Sequence, residues 1–208
     1  PTPVGMAAWW TGDGNGLDSR GVNNGTMQNG TSYATGKVGQ AFSLDGTDDH
    51  INIANTSSLD VGTSDLTIDM WINLDSVSSD QTLFHKVSGT GSSTNDPSYF
   101  LEYSVPNSLR FRVGESLATS NDLSVPANLV AGTWYHVTAV REGNTNRIYL
   151  NGELLGSQMI GSIVDTGSGG SAAIGRCLTD GCVRFVDGFI DEVELFDRAL
   201  KIEEIQRI

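Results

Sequence analysis

The most regular pattern in the chain runs from Leu66 to Leu74, where apolar and polar residues alternate. Apolar side chains occupy every second position: Leu66, Ile68, Met70, Ile72 and Leu74. This period of two is typical of a β-strand with one face on a core. The intervening residues, among them Asp69 and Trp71, are therefore predicted to point away from that core.

Shorter segments of the same kind recur along the chain, separated by turn-forming residues. The other predicted strands are Met6–Trp10, Gln40–Leu44, Ile51–Ile53, Thr82–Lys86, Ser98–Ser104, Leu109–Val113, Trp134–Arg141, Asn146–Leu150, Glu153–Leu155, Ala172–Gly175 and Val186–Phe196. Asp45-Gly46 and Asn151-Gly152 are tight-turn signals, because glycine accepts positive φ without a Cβ clash. Only Leu200–Arg207 has a helical pattern. About a dozen strands and one C-terminal helix are predicted.

Composition favours the same fold class. With 208 residues, 25 Gly and 5 Pro, the chain has the length and turn content of one all-β sandwich, and residues 1–208 are predicted to form a single domain. The net charge of −13 makes nucleic acid an improbable partner, since a phosphate backbone repels such a chain. No apolar run is long enough to span a bilayer. We expect a monomeric domain excised from a larger secreted or cell-surface protein.

The two cysteines, Cys177 and Cys182, flank the turn signal Asp180-Gly181. They are predicted to face each other across a hairpin and to form a disulfide. A redox or metal-binding pair is the alternative, but the spacing is not CxxC and no histidine lies nearby. A disulfide would indicate an oxidising, extracellular setting.

Several stretches, taken in order, resemble a known family. They are Ala7-Ala8-Trp9-Trp10, 18–26, 39–49, 66–72, Gly132-Thr133-Trp134-Tyr135-His136-Val137, 147–152 and 188–200. Together they are similar to the laminin G-like, concanavalin A-like jelly rolls, in particular the bacterial pentraxin-like branch. The resemblance implies an all-β, two-sheet antiparallel jelly-roll β-sandwich. Trp71 belongs to the family's fold signature, and Trp134 is interpreted as a core residue.

Calcium is the expected cofactor. The segment Asp45–Ile53 and the segment Gly188–Phe196 would bring carbonyls and carboxylates together if they lay side by side, and such oxygen ligands suit calcium. The resemblance implies a structural calcium site whose residues here would be Asp18, Asn23, Asp45, Gly46 and Asp191. The alternative is that Asp191 only accepts hydrogen bonds from loop amides.

A sugar-binding face is predicted opposite the core. It combines aromatic and charged residues that would point outward on four strands: Asp69, Trp71, Lys86, Phe100, Glu102, Arg110 and Arg112. An aromatic ring stacks on a pyranose, and charged groups bind vicinal hydroxyls. Alternatively, Trp71 is buried under a loop and the charges are merely solvated. The loop with Asn95 and Asp96 is a second candidate site.

No catalytic constellation is recognisable. His50, His85 and His136 lie in separate strands without a partner motif, and each is interpreted as a surface or hydrogen-bonded structural residue. The chain is therefore predicted to be a non-catalytic, lectin-like carbohydrate-binding domain stabilised by calcium. A protein-interaction or adhesion module that binds another extracellular protein is the alternative. A hydrolase or lyase would require two carboxyls to converge beside an exposed aromatic ring.

Overall fold

The computed structural model describes residues 3–88, 99–114, 122–160, 169–179 and 181–208. In chain order the strands are β1 (Met6–Trp10), β2 (Gly25–Gln28), β3 (Ser32–Thr35), β4 (Gln40–Asp45), β5 (His50–Ile53), β6 (Leu66–Leu74), β7 (Gln81–Lys86), β8 (Tyr99–Ser104), β9 (Ser108–Val113), β10 (Asp122–Pro126), β11 (Tyr135–Glu142), β12 (Thr145–Leu150), β13 (Glu153–Met159), β14 (Ala172–Ile174) and β15 (Asp187–Phe196). A 3-10 turn covers Ser57–Leu59, and the α-helix α1 covers Ile202–Ile205.

The strands form two antiparallel sheets. Sheet A has the order β13-β12-β11-β6-β15-β4-β3, with β1 also paired to β15. Sheet B has the order β10-β9-β8-β7-β14-β5-β2. One buried apolar cluster fills the space between the sheets and includes the predicted core residues Leu66, Ile68, Met70, Ile72 and Leu74. The predicted all-β sandwich with a short C-terminal helix is confirmed.

Three strands escaped the sequence analysis: β2, β3 and β10. Each is at or next to a sheet edge and is poor in apolar residues, so its alternation is weak. The described residues contain a helix at Ile202–Ile205, shorter than the predicted Leu200–Arg207. None of the helices in these residues is long and apolar enough to cross a membrane.

The centre of sheet A is the long strand β15, which changes partner halfway along its length. Residues Asp187–Ile190 pair with β4, whereas Val193–Phe196 pair with β1. A bulge between Asp191 and Glu194 separates the two halves, and Glu192 has a φ of 50° there. The bulge places several acidic side chains near the middle of the outer face.

The helix α1 covers one end of that outer face. A second apolar cluster forms beneath it: Met6, Val140, Phe196, Leu200 and Ile205. The uncovered remainder of the outer face lies between α1 and the turn that joins β3 to β4, and this gap holds the candidate site.

Cys177 and Cys182 form a disulfide, as predicted. The predicted hairpin around them is wrong, because the described residues between β14 and β15 contain no strand. This segment instead crosses the outer face of sheet B, where the Leu178 N–H donates to His85 Nδ1 at 3.0 Å.

Candidate functional site

The outer face of sheet A contains a cleft with a volume of about 430 Å³. We call it the tryptophan cleft. Its lining residues are Lys37, Trp71, Trp134, His136, Asn151, Gly152, Ile205, Gln206 and Ile208. The volume lies within the range of roughly 300–1,000 Å³ typical of ligand sites. One wall comes from the β3–β4 turn and the opposite wall from α1.

The floor of the cleft is set by strand register. Trp71 of β6 lies between His136 of β11 and Asp191 of β15 in adjacent pairs. All three side chains therefore project from the same face of the sheet. The Trp71 and His136 rings are 5.0 Å apart between centroids. Trp134, two residues before His136, is half-buried. Its ring centroid lies 6.3 Å from that of Phe189.

Asp69 holds the histidine in place. Its carboxylate is fully buried and accepts hydrogen bonds from His136 Nε2 at 2.7 Å and from the Thr138 hydroxyl. Because Nε2 is engaged by a carboxylate, Nδ1 of a neutral His136 is left as an acceptor. The Asp69 carboxylate is therefore bonded within the protein and does not line the cleft, so its position does not support the predicted direct contact with a ligand.

Lys37 closes the other side of the cleft. Its Nζ lies 4.3 Å from the centroid of the Trp71 ring, a cation–π distance. The β3–β4 turn that carries Lys37 is fixed by a hydrogen bond from the Val38 N–H to the Asp191 carboxylate at 2.9 Å. Lys37 is exposed and makes no ion pair with any described carboxylate.

The four tryptophans differ in what their indole N–H groups bind. Trp9 donates to Glu192 at 2.5 Å, and Trp10 donates to the Asn23 carbonyl at 2.8 Å. Trp71 and Trp134 have no acceptor among the described residues. Neither of these two N–H groups is among the buried polar atoms that lack a partner, so both are open to solvent or to a ligand. The two rings in the cleft therefore offer donors that the described part of the protein does not use.

Carboxyl groups lie close to the floor. Burial, followed by the charges of Asp69 and Glu192, raises the pKa of Glu194 to about 8. Burial also raises the pKa of Asp191 and of Glu192. Glu194 and Asp69 are register partners. They are not a hydrolase pair, because Asp69 is buried and already bonded to His136 and Thr138.

The predicted sugar-binding face does not exist as one surface. Asp69 and Trp71 belong to sheet A, whereas Phe100, Glu102, Arg110 and Arg112 lie on the outer face of sheet B. The prediction was wrong because alternation shows which residues share a face of one strand, but not which sheet that strand joins.

On sheet B these residues form an ion-pair network that we call the arginine face: Glu102, Arg110, Arg112, Asp122 and Arg184. Glu102 is buried and accepts hydrogen bonds at 2.8 Å from both Arg110 and Arg184. Asp122 pairs with Arg110 and Arg112. Both of those guanidinium groups also cover the Phe100 ring, at 5.2 and 5.5 Å. The polar groups of this face largely bind one another.

Lys86 is not on an outer face. It is 3% exposed and pairs with Asp60 at 3.0 Å, at one end of the sandwich. Burial lowers the pKa of Lys86, and Asp60 acts in the opposite direction. The predicted outward position was therefore wrong. Asn95 and Asp96, the alternative rim residues, lie outside the described residues.

The side chains of two predicted calcium ligands, Asp18 and Asn23, are hydrogen-bonded within the first long loop. Both Asp18 oxygens accept backbone N–H bonds, from Trp9, Arg20, Val22 and Asn23. Asn23 Oδ1 accepts from the Thr56 and Ser58 hydroxyls. These amide and hydroxyl contacts organise the first long loop.

Asp191 and the Asp45-Gly46 turn are separated. Asp45 is the register partner of Asp187. Asp191 lies four residues further along β15, about 13 Å away at the rise of a strand. Asp191 Oδ2 accepts a hydrogen bond from the Val38 backbone amide, as the alternative interpretation expects. Its Oδ1 has no hydrogen-bond partner among the described residues. The oxygen cluster that does form joins Asp45 to Asp48 and Asp49, with ligand atoms within 4.8 Å.

Family comparison agrees with this architecture. The profile of a family described as the concanavalin A-like lectin/glucanases superfamily (Laminin_G_3) matches residues 45–206. The chain belongs to this superfamily. The resemblance noted from the sequence is thereby confirmed. A search of curated proteins finds no match.

Solved structures of the same fold come from several sources. Domain 4 of AbnA, an extracellular arabinanase of Geobacillus stearothermophilus in complex with arabinotriose, is 20% identical, with a TM-score of 0.76 and 97% coverage of both chains. A Trypanosoma rangeli sialidase is 15% identical, with a TM-score of 0.73. The aligned region includes 99% of this chain and 32% of the sialidase chain.

The binding domain of botulinum neurotoxin DC in complex with SialylT is 12% identical, with a TM-score of 0.71. Here 98% of this chain covers 50% of the toxin domain. This chain thus spans about a third of the sialidase and half of the toxin binding domain. At such low identities these matches establish the shared fold alone.

Sequence reasoning missed Lys37, His136, Asn151 and Gln206 as cleft residues, and it placed Trp134 in the core. The turn Gly36-Lys37-Val38-Gly39 was not recognised because β3 was not predicted. Trp134 and His136 could have been found, since their two-residue spacing puts them on one face of the predicted strand Trp134–Arg141. The position of α1 over that face had no signal in the sequence.

Proposed function

We propose that this chain is a non-catalytic glycan-binding domain and that the tryptophan cleft is its binding site. The observation that supports this most directly is the pair of half-buried indoles, Trp71 and Trp134, whose N–H donors have no acceptor among the described residues. Two rings of this kind, in a cleft of about 430 Å³, fit the apolar face and the hydroxyls of a sugar.

The polar lining matches this function. Asn151 Oδ1 accepts from the His136 backbone N–H at 3.0 Å, which fixes the amide and leaves its NH₂ without a bond to the described residues. Gln206 donates to the Gly152 carbonyl at 3.2 Å, which leaves Oε1 as an acceptor. Fixed amides beside aromatic rings can orient a sugar through its hydroxyls.

The comparisons support glycan binding at the level of the fold. One neighbour is a domain of an extracellular arabinanase seen with arabinotriose, and another is a toxin binding domain seen with SialylT. Together with the disulfide, they support a secreted or cell-surface location. We propose that the chain acts as a binding module of a longer protein.

Binding to a panel of soluble oligosaccharides, measured by isothermal titration calorimetry, tests the function. The panel includes arabinotriose, galacto-, gluco- and manno-oligosaccharides, and oligouronates. We expect Trp134→Ala to weaken the best ligand about tenfold or more, since one aromatic contact contributes about 1–3 kcal/mol. Phe185→Ala, which removes a half-buried ring packed beside His50 and Arg176, is the matched control and should leave affinity unchanged.

Two results would contradict the proposal: no binding by any panel member, or equal losses in the two variants. The protein-interaction alternative would then be preferred. Its most suitable surface is the outermost strand β13, where Leu154 and Met159 are exposed by 53% and 79%. The titration thus separates the two functions.

A further inference from the structure

We propose that the tryptophan cleft selects a carboxylated sugar, a hexuronate unit, and that Lys37 is the residue that recognises its carboxylate. This inference rests on the proposed function and assigns the class of ligand. It follows from three properties of the cleft: a cation without an ion-pair partner, an excess of unused side-chain donors, and a described lining without acidic side chains.

The first property is the state of Lys37. The other charged candidates from the sequence, Lys86, Arg110 and Arg112, all form ion pairs with carboxylates. Lys37 forms none with the described residues, and its Nζ lies over the face of Trp71, 4.3 Å from the ring centroid. An ammonium at this position can pair with an anion while the sugar ring stacks beside it.

The turn beneath Lys37 is fixed, so its position is built into the fold. The Val38 N–H donates to Asp191, and the Gly36 N–H donates to the Gly39 carbonyl at 3.0 Å. A Cβ at Gly36 would lie 2.6 Å from the Asp191 carboxylate, so this site accepts only glycine without rearrangement. The lysine therefore projects from a closely packed support.

The second property is the balance of donors and acceptors. Unused donors come from Lys37, Trp71, Trp134 and the Asn151 amide. Among the lining side chains the acceptors are Gln206 Oε1 and, when the imidazole is neutral, His136 Nδ1. A sugar hydroxyl both donates and accepts, whereas an ionised carboxylate only accepts. A lining with an excess of donors is better satisfied by a sugar that bears a carboxylate.

The third property is the charge around the site. The described lining includes no aspartate or glutamate side chain. Of the nearby acids, Asp69 is bonded to His136, Asp191 to the Val38 amide and Glu192 to Trp9. Glu194, whose pKa is raised to about 8, is mostly protonated at pH 7. Lys37 is the only lysine, arginine, aspartate or glutamate in the described lining.

The test compares trigalacturonate with its fully methyl-esterified form, because esterification removes the carboxylate charges and leaves the sugar rings and their hydroxyls unchanged. Isothermal titration calorimetry of the wild-type chain should show about tenfold tighter binding of the acid. Lys37→Gln should lower the affinity for the acid about fivefold and change the affinity for the ester less than about twofold. Lys37→Arg should retain most of the preference for the acid. Arg20→Gln, an exposed charge outside the cleft, controls for net charge.

Equal affinity for the acid and its ester would overturn the inference while leaving glycan binding intact. A preference for the acid that Lys37→Gln does not reduce, or that Arg20→Gln reduces equally, would overturn the role of Lys37. Binding of neither sugar, with binding of another panel member, would reject the hexuronate class. Absence of binding by every sugar would reject the proposed function as well.

Discussion

The two outer faces of the sandwich use charged residues in opposite ways. The arginine face holds Arg110, Arg112 and Arg184, yet each pairs with Glu102 or Asp122. The tryptophan cleft has one lysine, and that lysine has no carboxylate partner among the described residues. The face with more cations therefore has fewer of them available for a ligand.

This difference shows why counting charged or aromatic residues is a poor guide to a binding site. Phe100 is an aromatic residue on an outer face, but two guanidinium groups cover its ring and it is only 9% exposed. Trp71 contacts the His136 ring and the exposed Lys37 side chain, and a ligand could displace the lysine. A site is indicated by interaction capacity that the protein has not already used.

The largest effect should come from removing the central acid of the arginine face. Glu102→Ala leaves Arg110 and Arg184 without their shared carboxylate, and we expect the free energy of unfolding to fall by about 2–3 kcal/mol. Urea unfolding measures this loss. Glu142→Ala, which breaks the exposed pair with Arg147, should cost less than about 0.5 kcal/mol. Similar losses in the two variants would mean that the arginine face is solvated and free to bind.

A smaller effect is expected below the tryptophan cleft, where Glu194 has no ion-pair partner among the described residues. Since its folded-state pKa is about 8 against an ordinary value of 4.5, the native state retains a proton that the unfolded state loses between these values. Stability should therefore fall as pH rises from about 4.5 to 8.

Glu194→Gln removes this titration. We expect the variant to match the wild type near pH 4.5 and to exceed it by about 1–2 kcal/mol at pH 8, a value discounted for partial exposure. Thermal unfolding across this pH range measures the difference. Glu153→Gln, at an exposed position on β13, should leave the pH profile unchanged. A parallel profile for Glu194→Gln would contradict the raised pKa.

The smallest effect concerns calcium, which remains a prediction. If calcium binds, the described carboxylates that lie close enough together to share it are those of Asp45, Asp48 and Asp49. Chelation by EDTA should then lower the melting temperature by a few degrees, and added calcium should restore it. Glycan affinity should not change. Asp48→Asn should abolish the response to calcium, whereas Asp18→Asn should not.

The sequence predicted the sandwich well because alternation in strands such as β6 reports directly on burial. It predicted the site only in part. Trp71 was correctly placed on an outer face, but its neighbours depend on pairing between distant strands: His136 comes from β11 and Asp191 from β15. Arg110 and Arg112 looked equally available in the sequence, because ion pairs with Asp122 depend on the arrangement of strands that alternation does not encode.

The most direct test of the central claim is a two-dimensional ¹H–¹⁵N NMR titration of the chain with trigalacturonate. Four tryptophans give four indole N–H signals, and arginine Nε–H signals report on the opposite face. We predict that the Trp71 and Trp134 signals shift in proportion to binding, while those of Trp10, Arg110 and Arg112 do not. Shifts confined to the arginine signals, with the Trp71 and Trp134 indoles unaffected, would contradict the account.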